Sequence, residues 1–141
     1  MSSACYSANA PGQDGAYTSV GVEGTGLTGS SGSVEVGGVT YPTTPLTLWY
    51  SFHWQDNAVS TNSTPPDATY SAGTVFQNGY VLAAPAPGSA AIEYYYKRLN
   101  VTSQDYSMVA AGSPEATWCQ QKGYTNITAQ VPIKGWFLPS N

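Results

Sequence analysis

The stretch Leu46-Thr47-Leu48-Trp49-Tyr50-Ser51-Phe52-His53-Trp54 decides the fold class, because it reads as the strongest β-strand in the chain. A period of two places Leu46, Leu48, Tyr50, Phe52 and Trp54 on one face and Thr47, Trp49, Ser51 and His53 on the other. The first set is continuous and apolar, so it is expected to face the core. The second leaves Trp49 and His53 pointing outward among hydroxyls.

Upstream, Val34 to Tyr41 has the form of a tight hairpin around Gly37-Gly38, since glycine supplies the positive φ angles of a two-residue turn. Pro42 and Pro45 are expected to interrupt pairing before the main strand. Gly24 to Gly32 reads as a loop, Ala16 to Val22 alternates only in part, and residues 1–15 form a polar arm. Downstream, 55–73 reads as a long loop. Thr74 to Ala84 carries Asn78-Gly79 between β-formers and predicts a second hairpin. Ala91 to Leu99 alternates Ile92, Tyr94 and Tyr96 against Glu93, Tyr95 and Lys97. Tyr106 to Ala110, Ala116 to Gln121 and Asn126 to Leu138 are further strand candidates, and Pro132 marks the last as an edge or a bulge.

No helical period exceeds about two turns, and no internal repeat is present. The pattern predicts one all-β domain over 1–141. Its expected architecture is a two-sheet antiparallel β-sandwich or jelly roll of about eight to nine short strands, with a barrel as second choice.

Composition narrows the function. Charged residues make up 9% of the chain and aromatics 13%, with 11 tyrosines. Disordered chains are poor in aromatic and β-branched residues, so a folded domain is expected. No apolar run is long enough to insert into a membrane as a helix. The net charge of −4 argues against nucleic acid, whose phosphates need clustered Lys and Arg, since of the four cations Lys97, Arg98, Lys122 and Lys134 only two are adjacent.

Chemistry of the usual catalytic kinds finds little support. His53 is the only histidine and has no nucleophile elbow near it. Gly24-Thr25-Gly26 lacks the lysine and helix of a phosphate cradle. The eight acids are scattered singly, most beside turns, where exposure is the default. Glu23 and Glu93 fall within or at the end of strands. Asp56, Asn57 and Asp67 lack the spacing of a calcium loop. The expectation is a protein that is not an enzyme and needs no cofactor or metal.

Cys5 and Cys119 lie near opposite ends of the chain, and a disulfide between them is expected, with two buried thiols as the alternative. Closing so long a loop would stabilise by roughly 4–5 kcal/mol in the chain-entropy model. Sequons at Asn62, Asn100 and Asn126 suit an extracellular or otherwise exported protein, with a virion surface or the cytoplasm as alternatives.

What remains is recognition by stacking and neutral hydrogen bonds. Aromatic rings cover the flat C–H patches of sugars, while Asn, Asp, Gln and Ser meet the hydroxyls without net charge. The best local concentration is Trp49, His53, Trp54, Gln55, Asp56 and Asn57, with Tyr95, Trp118, Tyr124 and Trp136 as further candidates. The expected partner is a neutral glycan or a glycoprotein, and homo-oligomerisation would add avidity. The alternative is a structural or adhesive subunit of a virion, tail fibre or surface filament, which abundant Gly, Ser and Thr suit equally.

Overall fold

A computed structural model describes residues 2–4, 22–25, 32–61, 65–131 and 134–139. The chain is an all-β protein built on one open antiparallel sheet that folds over itself in a sandwich-like way. In chain order the strands are β1 (Ser2–Ala4), β2 (Val22–Thr25), β3 (Ser33–Val36), β4 (Val39–Ser51), β5 (Asp56–Ser60), β6 (Ser71–Leu82), β7 (Ala90–Asn100) and β8 (Ser103–Ala110). The helix α1 (Pro114–Gln121) follows, then β9 (Thr125–Asn126), a 3-10 turn (Thr128–Gln130) and β10 (Trp136–Phe137). Strand β1 pairs with β2, so 2–4 of the expected arm are strand; 5–15 lie outside the described residues.

The main sheet runs β3-β4-β6-β10-β7-β8, with β5 also on β4 and β9 also on β7. Gly37 and Gly38, with φ of 60° and 82°, close the β3–β4 hairpin in register Val36↔Val39, as the glycine pair predicts. Pro42 and Pro45 do not break the strand. Their rings are exposed, and β4 runs through both, changing partner from β3 to β6.

The Asn78-Gly79 pair does not turn the chain either, because β6 is continuous from Ser71 to Leu82. Between Pro45↔Tyr80 and Thr47↔Val75, Leu46 alone stands opposite Phe76 to Gly79, so the turn-forming dipeptide sits in a bulge. Beside that bulge β4 changes its pattern. Alternation is lost at Leu46 and Thr47, which are both buried. The face carrying Thr47, Trp49 and Ser51 is the buried one, and Leu48 and Tyr50 are half-exposed. The faces are therefore inverted relative to the expectation from hydrophobicity.

The core lies in three clusters. Leu46, Val81, Ile92, Tyr94, Met108, Ala110 and Phe137 fill the space enclosed by the sheet. Tyr95 and Val109, on the opposite face of β7 and β8, pack under Ala116 and Cys119 of α1. Trp49, Ala58 and Tyr70 form the third cluster, with Trp54 and Tyr106 against it. Strand β7 is thus buried on both faces, and its alternation agrees with the period read from sequence.

The helix replaces the strand expected over Ala116 to Gln121. Ser113 caps it, its Oγ accepting from the Ala116 amide at 3.2 Å, with Pro114 and Glu115 in the first turn. Gly123, at φ 82°, follows its end. The segment expected as one strand over 126–138 divides into β9, the 3-10 turn and β10; Pro132 lies outside the described residues. Strand β10 sits between β6 and β7, through Trp136↔Leu82 and Trp136↔Ala91. Just before it, the Gly135 carbonyl accepts from Ile92, and a Cβ at Gly135 would come within 2.9 Å of Thr61 Cγ2.

No described helix is long and apolar enough to cross a membrane. Cys119 is buried on the inner side of α1; its expected partner Cys5 lies outside the described residues, among which no disulfide forms.

Candidate functional site

The two ends of the sheet meet along a seam. Strand β5 lies against β8, yet no ladder joins them among the described residues. Side chains bridge the gap instead. The Asp56 carboxyl accepts hydrogen bonds from the backbone of Tyr106 and Asn57, and from the Tyr70 hydroxyl at 2.5 Å. Asp105, in the middle of β8, accepts from the Tyr124 hydroxyl at 2.5 Å. Its Oδ1 and the Ser107 hydroxyl are both buried, and Ser107 acts on the Asp105 carboxyl as a neighbouring hydrogen-bond donor.

Burial controls the protonation of both acids. It pushes Asp56 up to about 8, with a further contribution from the neighbouring Asp105 charge, and the Tyr70 hydrogen bond offsets only part. Burial likewise raises Asp105 to about 7. The same loss of water, together with the adjacent carboxylates, raises Tyr70 and Tyr106 above the ordinary phenol range. The expectation that the acids are exposed fails for Asp56 (2% exposed), Asp105 (1%) and Glu115.

Asp67 sits at the outer end of the seam. Burial alone would raise its carboxyl, but hydrogen bonds from Thr69 and Gln104 outweigh that and hold it below the usual range. Gln104 Nε2 donates to Asp67 at 3.0 Å, and its Oε1 accepts from the Tyr96 hydroxyl at 2.8 Å. The rings of Tyr70, Tyr106 and Tyr96 follow one another with centroids 5.6 and 4.8 Å apart.

Above the seam stands the β4–β5 hairpin tip, Phe52 to Gln55. It closes Ser51↔Asp56, with Gln55 in the left-handed region at φ 51°. A chain of polar contacts ties the tip down. The Trp54 amide donates to Ser51 Oγ (3.1 Å), Ser51 Oγ to Thr69 Oγ1 (3.1 Å), and Thr69 Oγ1 to Asp67 (2.5 Å). On this anchored turn Phe52 is 81% exposed, its ring edge-on to Tyr50 at 4.8 Å. His53 is exposed and meets Trp54 at 4.5 Å. The Arg98 guanidinium lies over the indole of Trp54, 4.5 Å from its centre. The β7–β8 turn beside it exposes Leu99 (39%) and Val101 (83%).

The residues expected to bind therefore fall in separate places. His53, Trp54 and Gln55 form the tip. Asp56 and half-buried Asn57 lie in the first strand pairs beneath it. Trp49 does not face outward: it is 6% exposed, and its Nε1 donates to Ser60 Oγ at 2.8 Å. Tyr95 is buried on the helix side, its hydroxyl donating to Glu93 and accepting from Gln120. Trp118 and Tyr124 pack against each other there, half-buried, and Trp136 is half-buried in β10. Sequence reasoning missed Phe52, assigned to the core, and Arg98, whose place over Trp54 depends on long-range contact.

A concavity of about 160 Å³ opens between Pro65-Pro66 and Ile127 to Val131, lined also by Tyr94, Tyr106 and Ser107. Among the described residues no three His, Cys, Asp or Glu side chains converge as a metal would need. A scan against protein-family models and searches of curated proteins and solved structures found no match to this chain. The functional reading rests on the geometry of the site.

Proposed function

We propose that the chain is a non-catalytic glycan-binding protein, and that its ligand rests on the tip formed by Tyr50, Phe52, His53 and Trp54. The observation that carries this reading is the 81% exposure of the Phe52 ring on a turn anchored by hydrogen bonds. A large ring so placed adds little to packing, whereas it offers a rigid apolar platform to the C–H face of a pyranose. Gln55 stands beside it with its side-chain amide in water for sugar hydroxyls. The raised carboxyls Asp56 and Asp105 serve the seam, since both are walled from solvent and bonded to tyrosines. The partner is a glycan or glycoprotein outside the cell, which the sequons suit.

Binding of labelled protein to a broad glycan array tests the reading. Phe52→Ala and Trp54→Ala are expected to weaken saturable binding by about tenfold each. Silence of the folded wild type across the array would refute it.

A structural or adhesive subunit is the second reading, favoured by the apolar exposure of Phe52, Leu99 and Val101 at one end and of Val39 beside terminal strand β3. Concentration-dependent association in sedimentation, lost in Phe52→Ser or Val101→Ser, would support it.

A further inference from the structure

Arg98 is held in an unusual way for an exposed cation. Its Nε donates to the Asn100 carbonyl at 2.9 Å and its Nη2 to the Val101 carbonyl at 3.2 Å, while the guanidinium plane covers Trp54. Both described hydrogen bonds end on backbone carbonyls, so neither neutralises the charge. The acid of the adjoining network, Asp67, is occupied by Thr69, Gln104 and Tyr106. A guanidinium has five N–H donors, so at this exposed position the two bonds leave others for a ligand. Stacking and the carbonyl clamp fix their direction, which reduces the ordering cost when an anion arrives.

We infer that the tip selects saccharides carrying a carboxylate, with Arg98, held over Trp54, pairing to the acid while Phe52 supports the ring. This rests on the glycan reading of the same tip and narrows its ligand from neutral to acidic sugars. A chain with a net charge of −4 repels anions at long range, so the selectivity comes from a local, preorganised cation.

Titration calorimetry with two matched pairs tests the inference: lactose against sialyllactose, and a galactose oligomer against the corresponding galacturonate oligomer. The acidic member of at least one pair is expected to bind about tenfold or more tighter, and added salt is expected to shrink that preference. Arg98→Gln should abolish the preference while retaining any neutral binding within about threefold. Arg98→Lys, which keeps the charge, should retain part of it, with circular dichroism checking the fold of each variant. Equal affinity within both pairs, or equal losses for both members in Arg98→Gln, would overturn the acidic preference and leave the glycan reading standing. Failure to bind any of the four, together with a silent array, would overturn both.

Discussion

The seam between β5 and β8 and the hairpin tip above it are built from the same residue types, and they use them in opposite ways. In the seam, Tyr70 and Tyr124 are spent on Asp56 and Asp105, and the hydroxyls are matched to carboxyls at 2.5 Å. At the tip, Phe52 and His53 face water, held by contacts made through backbone and small side chains. Aromatic content alone therefore does not locate a binding surface. What separates the two regions is whether another strand covers the ring.

The largest contrast is expected between two aromatics three residues apart. Trp49→Ala should destabilise by about 3–5 kcal/mol, because it empties a buried site and removes the indole hydrogen bond to Ser60. Chemical denaturation measures this, and a cost below about 1 kcal/mol would mean that the buried side of β4 is misassigned.

The seam should also show itself through pH. Below about pH 3 both acids are largely neutral whether the chain is folded or unfolded. Above that the unfolded chain ionises, while the fold retains protons until about 7 at Asp105 and about 8 at Asp56. The unfolded state then binds fewer protons, so stability falls as pH rises through this window. A decrease in Tm on the order of 5–10 °C between pH 4.5 and 8.5 is expected. Asp56→Asn should flatten the alkaline part of the curve; an unchanged slope would place the titration elsewhere.

Gly135→Ala sharpens the comparison from the core side. Its new methyl would meet Thr61, Ile92 and Val81, at a cost of about 1–3 kcal/mol in a thermal melt. The smallest stability effect is expected at the tip. Phe52→Ala should change stability by less than about 0.5 kcal/mol while weakening glycan binding. Substantial unfolding by this variant would show that the ring packs after all.

Legibility followed the range of the interactions. The Gly37-Gly38 hairpin and the two faces of β7 were readable because a two-residue turn and a period of two are local. Ser113-Pro114-Glu115 was equally local, a cap, a first-turn proline and an acid, and it could have revealed α1. Asn78-Gly79 misled, since its turn preference is met by a bulge opposite Leu46. Of the site, the His53 to Gln55 tip was legible as an aromatic concentration, and its anchoring and Arg98 were not.

The sequence by itself determined an all-β chain of antiparallel strands, through alternation and turn chemistry that act within a few residues. Tertiary structure decided which side of β4 is buried: the alternation breaks at Leu46 and Thr47, where the pairing with β6 is irregular, and what packs on each face sets the rest. It also decided the state of the acids. Asp56 and Asp105 are separated by most of the chain between β5 and β8, and only their burial in a common seam raises both carboxyls. Solvent exclusion depends on what packs against a residue, and no window of the sequence contains it.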